Sequence, residues 1–339
     1  MEPTDNKIDI TYLRKLFQKS ADVQFQSYTF NQYQVVFITC DAMIDQQQLN
    51  EVIVPRVQQF IENLKVESIE NVISAQLHIP GLKKVEDKNE IDSLLCTGNV
   101  LLYFEDDGLL ISSNIAKKPN RNPEDTNINA PVRGPRDNFI EDISVNIALI
   151  RKRIPTNSLC VEKFQLGKRS NTTVALLYFD DIASKKTLFS IRKQLEKVDT
   201  DIVVGGDLLM ESVNKSAKLF PRTDYTGRPD HAVQSLATGR FVILVDGVAY
   251  AIITPVNLFS LLKTNEDNET PVIYASFERL LRIVGMTIGI GLPAFWLALT
   301  TFHQDQLPHL LLATVVQSNT GLPIPSVLEM LIMLFMFEL

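Results

Sequence analysis

Residues 97–112 read TGNVLLYFEDDGLLIS, and residues 238–253 read TGRFVILVDGVAYAII. Each stretch is a Thr-Gly pair, an apolar run of strand length, an Asp-Gly pair and a second apolar run. Asp-Gly takes the positive φ angles of a tight turn, so both stretches are expected to form β-hairpins. The two copies differ by two residues between Thr-Gly and Asp-Gly. A shift of two keeps every side chain on the same face of a strand. The pattern therefore points to an internal repeat; the competing reading is two coincident hairpins, because Asp-Gly turns are common.

Around each hairpin, helix and strand signals alternate. Before the first, IDITYLRKLFQKS places Ile10, Leu13, Leu16 and Phe17 on one helical face. YQVVFITC is a β-branched and aromatic run of strand length, and QQQLNEVIVPRVQQFIENL reads as a helix with Pro55 at a kink or boundary. Before the second hairpin, a helix is expected from Pro135 onward. Asp137, Glu141 and Asp142 lie at its positive end, Arg151, Lys152 and Arg153 at its negative end, and Ile140, Ile143, Ile147 and Ile150 form an apolar stripe. TTVALLYFDD then reads as a strand, IASKKTLFSIRKQLEKV as an amphipathic helix, DIVVGG as a short strand and DLLMESVN as a helical turn or two.

The expected fold class is α/β: two similar small α/β subdomains with mixed sheets, over 1–115 and 136–275, followed by a C-terminal α-helical membrane segment over 276–339. Residues 116–135, rich in Asn, Pro and charge, read as a linker, either solvated or meeting a partner or anionic lipid.

The membrane assignment rests on residues 283–302, IVGMTIGIGLPAFWLALTTF, which carry no charge and cover about the 30 Å of a hydrocarbon core as a helix. A globular helix of that length normally shows a polar face. Pro293 is compatible with a spanning helix, and Gly285 and Gly289 form a small-xxx-small pair suited to close helix approach. Arg279 and Arg282 precede the run and Asp305 follows it, so the positive-inside rule places the N-terminal region in the cytoplasm. The last segment, SVLEMLIMLFMFEL, is apolar but short, and carries Glu329 as either a functional membrane acid or an interfacial helix start.

Composition removes several function classes. A net charge of -7 argues against a nucleic-acid binder. Cys40, Cys96 and Cys160 are far apart and read as reduced, partly buried thiols; no His or Cys spacing suggests a metal site. Gly205-Gly206 follows an expected strand but lacks the further residues of a phosphate loop, so no cofactor is expected. The acidic N-terminus has no apolar core of a signal peptide.

The segments VRGPRDNFIEDISVNIALIRKRI (132–154), FPRTDYTGRPDHAVQSLATGRFVILVDG (220–247) and GLPAFWLALTTFHQDQLPHLLL through GLPIPSVLEMLIMLFMFEL resemble the A subunit of GerA-type spore germination receptors. The resemblance covers about 130–339, with several motifs in order. It implies a cytoplasmic region of two α/β subdomains and a bundle of membrane helices in the inner spore membrane. It also implies a non-enzymatic role beside a transporter-like B subunit and a lipoprotein C subunit, with self-association of A subunits into a ligand-gated ion channel.

Motif positions carried over by the resemblance include Arg133, Gly134, Pro135, Arg136, Glu141, Arg151 and Arg153 in the first block, and Arg228, Pro229, Asp230, Arg240, Asp246 and Gly247 in the second. Pro293 and Glu329 belong to the membrane part. Arg133, Arg136, Arg228 and Arg240 are expected either to pair with Glu141, Asp230 or Asp246 and lock the subdomains, or to face a neighbouring subunit. The chain departs from the family at Gly227, where a Glu is usual, and near Ser318, where a basic residue is usual. It also ends at Leu339, where family members continue into further membrane helices, so it is expected to be a truncated form. The alternative reading from the residues alone is a soluble α/β ligand-binding module or enzyme whose apolar end packs in its own fold or a dimer.

Overall fold

The computed structural model describes residues 8–64, 73, 77–117, 137–206, 209–210, 222–257, 271–319 and 324–338. The chain divides into two compact units, Met1–Leu261 and Leu262–Leu339.

The first unit contains the same arrangement twice. The first copy runs α1 (Ile10–Leu16), β1 (Val23–Phe30), β2 (Tyr33–Cys40), α2 (Gln46–Gln48), a π-helical turn (Leu49–Ile53), α3 (Val54–Glu62), β3 (Lys83–Lys84), α4 (Lys88–Cys96), β4 (Asn99–Phe104) and β5 (Leu109–Asn114). The second runs α5 (Ile143–Arg153), β6 (Leu159–Leu166), β7 (Thr172–Phe179), α6 (Lys185–Glu196), β8 (Asp224–Thr226), α7 (Pro229–Ala237), β9 (Phe241–Val245) and β10 (Ala251–Thr254). Sheet orders are β1-β2-β4-β5-β3 and β6-β7-β9-β10-β8, the same permutation in both. Two coincident hairpins would not bring their neighbouring strands into one shared order, so the duplication is structural. Where mixed sheets were expected, every pairing within both sheets is antiparallel.

The quoted motif has a mechanical explanation in both copies. Thr97 and Thr238 are the C-caps of α4 and α7, and Gly98 and Gly239 follow with φ of 95° and 80°, closing each helix before its strand starts. Gly98 has a second constraint, because a Cβ there would lie 2.6 Å from Met43 O. The Asp-Gly connections are longer than two-residue turns, spanning 105–108 and 246–250, with Gly108 and Gly247 at positive φ.

Each sheet is covered on both faces, which is why its central strands are apolar runs rather than alternations. In the first copy, α1 and α4 supply Leu13, Ile91 and Leu95 to one face, while the π-turn and α3 supply Leu49, Ile53, Val57 and Phe60 to the other. In the second, α5 and α7 supply Ile143, Ile147, Ile150 and Leu236, opposite Leu188, Ile191 and Leu195 of α6. The π-turn lies immediately before α3, whose first turn holds Pro55, so the wider helical register falls where proline cannot donate.

Several local expectations differ from the structure. The helix expected from Pro135 starts at Ile143, because Asp142 adopts an extended conformation and caps Ser144 and Val145. Edge strands β1 and β6 carry too many polar residues (Gln24, Gln26, Glu162, Lys163) to stand out as apolar runs. DIVVGG is not a strand. Val203 instead receives a hydrogen bond at its carbonyl from Thr172 Oγ1 and donates its N–H to Ser170 Oγ, side-chain substitutes for a ladder. The helical turns expected over 207–214 fall mainly outside the described residues, as does the linker over 118–135.

The second unit is helical: α8 (Val272–Thr301), a short 3-10 turn (Gln304–Gln306), α9 (His309–Asn319) and α10 (Ser326–Glu338). Helix α8 contains 30 residues and begins well before the uncharged run, since Glu278, Arg279 and Arg282 are themselves good helix formers. It is long and apolar enough to cross a bilayer, and only 6% of its most apolar window is buried. A core helix of a soluble protein would hide that surface.

Candidate functional site

The two sheets of the first unit meet through α5. One side of this helix packs Ile143, Ile147 and Ile150 on its own sheet, while Ala148 is buried in the cluster formed by Leu13, Cys40 and Leu95 of the first copy. Three residues on from Ala148, and so on the same face, Arg151 reaches across as well. It is 1% exposed and faces Asp22, which is 2% exposed, in the loop before β1. Arg151 Nε donates to Asp22 Oδ2 at 2.8 Å and Nη2 donates to Asp22 Oδ1 at 3.0 Å, the parallel fork that guanidinium and carboxylate planes favour. Nη1 also donates to the Thr156 carbonyl at 2.9 Å and Nη2 to Ser20 Oγ at 3.2 Å.

Every charged atom of this pair thus has a partner, the condition under which a buried ion pair is tolerated. Burial opposes the Arg151 charge, but the attraction and hydrogen bonds of Asp22 more than offset it and raise its pKa. Around the pair lie two thiols. Cys40 Sγ donates to Asp22 Oδ2 at 3.6 Å, and Cys96 Sγ sits 4.0 Å from Arg151 Nη1. Burial pushes the Cys96 thiol up to about 11 and drives Cys40 higher still with help from Asp22, so both are inert, protonated packing groups. All three cysteines are free and buried, as expected of reduced thiols. Asp92 of α4 also faces this region; burial raises its carboxyl while Arg151 pulls it down, and its Oδ1 is buried without a hydrogen bond.

Backbone pairing reinforces the junction. Val161 N–H donates to Lys19 O at 3.0 Å and Ala21 N–H donates to Val161 O at 2.9 Å, a parallel bridge between Ser20 and the edge of β6. Lys19 and Asp180 pair at 2.7 Å, but both are about half exposed, so this contact adds little.

The other motif residues are placed as follows. Arg228 and Asp230 form a buried bidentate pair at 3.1 and 2.6 Å at the start of α7, where Pro229 takes the first turn; the pair stays within the second copy. Among the described residues Asp246 pairs with no arginine. Its Oδ1 accepts from Ile143 N–H at 3.3 Å and Gly247 N–H donates to Glu141 O at 2.8 Å, so the hairpin loop closes the start of α5. Glu141 contributes that carbonyl and leaves its side chain exposed. Asn146, fully buried, clasps the approach to α5: its Oδ1 accepts from Ile140 N–H at 2.9 Å and its Nδ2 donates to Ile140 O at 2.6 Å. Arg153 pairs with Asp137 at 2.8 Å, and Arg240 is half-buried near His231. Arg133, Gly134, Pro135 and Arg136 lie outside the described residues.

Of the arginines proposed to lock the subdomains, Arg228 has a local carboxylate partner. A buried pair across the junction is formed by Arg151, with an aspartate that no sequence signal singled out. Asp22 sits in a loop with no periodicity, 129 residues from its partner. In the second unit, a Cβ on Gly285, Gly289 or Gly291 would meet nothing within 4 Å, so the small face of α8 stands open, and Pro293 lies inside the helix. Glu329 occupies the first turn of α10, the end where the helix dipole favours a carboxylate. Among the described residues no cluster could hold a metal ion.

Residues 11–339 match the family described as Bacillus/Clostridium GerA spore germination protein. Spore germination protein XA of Bacillus anthracis is 35% identical over 98% of this chain and 69% of that protein. Spore germination protein GerQA of Bacillus cereus is 29% identical over 99% of this chain and 67% of that protein. Among solved structures, the N-terminal domain of the A subunit of the Bacillus megaterium spore germinant receptor GerK3 superposes with a TM-score of 0.53 at 22% identity, covering 74% of this chain and 94% of that domain. The likeness is one of fold.

Proposed function

This chain belongs to the GerA family of Bacillus/Clostridium spore germination proteins, and we propose that it is the A subunit of a nutrient-germinant receptor, acting without an enzymatic step. In this reading α8 spans the inner membrane of the spore, with the duplicated unit on the cytoplasmic side. Its motif residues, from Arg151 to Gly247, hold that unit rigid. The subunit works with a transporter-like B subunit and a lipoprotein C subunit, and self-associates toward an ion-conducting assembly through helices such as α8, whose Gly285 and Gly289 face is open.

One observation carries the reading: a folded two-copy unit and a 30-residue apolar helix with its surface uncovered occur in the same chain. A soluble enzyme has no use for that helix, whereas a membrane subunit needs it. Fractionation of spores tests the proposal. The chain is expected in the inner-membrane fraction, resistant to salt washing and released by detergent, and spores lacking it are expected to lose the response to one nutrient while germinating normally with others. Recovery as a soluble monomer without detergent would overturn the reading.

A further inference from the structure

Helix α6 presents a surface that the junction between the two copies does not use. Its inner face buries Leu188, Ile191 and Leu195. At 100° per residue its outer face groups Lys186, Lys193 and the C-cap Lys197 within an arc of about 40°. Lys185 begins the helix, and the exposed Phe189 lies between the lysines, with the Lys193 ammonium 5.9 Å from its ring. Phe189 is 66% exposed, and Ile182, just ahead of the helix, is 50% exposed. Arg192 is committed inward to Glu162, so the lysines supply the outward positive charge. The only carboxylate on α6 is Glu196.

In a chain of net charge -7, a basic helix face with an apolar ring at its centre is a local reversal of sign. It has the composition of a helix lying on an anionic bilayer: ammonium groups meet phosphates while an aromatic ring enters the headgroup layer. We propose that the outer face of α6 docks on anionic phospholipid, holding the second α/β copy against the membrane. The inference rests on the membrane-anchored reading, since a chain tethered by α8 keeps the duplicated unit in the neighbourhood of a bilayer. An acidic protein is the competing occupant, but it would not by itself account for the exposed Phe189 and Ile182.

The test uses the full chain with its only tryptophan replaced, Trp296→Phe, and a reporter introduced as Phe189→Trp. In nanodiscs of phosphatidylglycerol the reporter is expected to emit at shorter wavelength and to be quenched by brominated lipid. In phosphatidylcholine discs it is expected to do neither. Combining Lys186→Glu, Lys193→Glu and Lys197→Glu should weaken docking at least about 100-fold, at roughly fivefold per lysine lost near an anionic surface. Solvent-exposed emission in both discs, or equal quenching in both, overturns the proposal. So does a shift produced only by a soluble acidic peptide, which assigns the face to an acidic protein. Failure of the chain to enter either disc refutes the membrane anchor itself. The docking proposal then turns on flotation with phosphatidylglycerol vesicles, expected for the unaltered face, lost in the triple variant, and refuted if the unaltered chain does not float.

Discussion

Replacing Arg151 by methionine keeps most of the side-chain volume and removes the charge, leaving Asp22 without its guanidinium partner in a site where it is 2% exposed. The substitution deletes two charge-assisted bonds of 2.8 and 3.0 Å and two further bonds to Thr156 O and Ser20 Oγ. Stranding one member of a buried pair costs about 3–5 kcal/mol, against a whole-domain stability of about 5–15 kcal/mol. For a unit of this size that is a fall in Tm of about 10 °C. Asp22→Asn should cost a similar amount, because it strands the guanidinium. The double variant Arg151→Met, Asp22→Asn should lose clearly less than the two single losses added together, since neither charge is then alone. Urea denaturation of residues 1–261, the compact first unit, measures all three. Because the pair joins the two copies, the single variants should also separate one cooperative transition into two. Single variants costing less than about 1 kcal/mol, or double-mutant losses that simply add, would refute the claim that this pair holds the junction.

Three further outcomes follow from the same geometry. Asn146→Ala leaves the half-buried N–H and carbonyl of Ile140 without their side-chain partner and should cost about 1–3 kcal/mol; Asn146→Asp should be worse near neutral pH, since a carboxylate then faces the Ile140 carbonyl, and should recover as the acid is protonated. Burial raises the Asp92 carboxyl, so the folded state holds its proton more tightly than the unfolded chain and loses stability as pH rises from the ordinary aspartate range through the raised value. Asp92→Asn should therefore stabilise the unit near neutral pH, and the gain should vanish in acid below that range, read from urea midpoints at both pH values. Gly98→Ala should cost more than Gly108→Ala, because both sit at positive φ but only Gly98 also meets backbone, with Met43 O at 2.6 Å; about 1–2 kcal/mol is expected at Gly108, and paired melting curves compare them.

Much of the fold could be read locally. The repeated Thr-Gly, apolar run, Asp-Gly pattern is the C-terminus of a helix followed by two paired strands, and each part is set by residues within a few positions of one another. The isoleucine stripe of α5 and the apolar faces of α1 and α6 follow the same rule. The departures occurred where another part of the chain supplies the hydrogen bonds or the cover. DIVVGG is apolar enough for a strand but is held by Ser170 and Thr172, and edge strands β1 and β6 lack the continuous apolar run that signals burial on two faces.

By itself the sequence determined the duplicated α/β pattern, the long uncharged run within the C-terminal helix and the family, because these depend on short-range periodicity, on a length matched to a bilayer and on ordered motifs. The tertiary structure alone decided that the copies share one strand order and that Arg151 crosses between them to Asp22. It also decided that Asp246 caps α5 in addition to ending a strand. The physical reason is that a buried charge must find a partner in space. Asp22 is 129 residues away from Arg151 along the chain, and only the packing of α5 on the first copy brings the carboxylate within 2.8 Å.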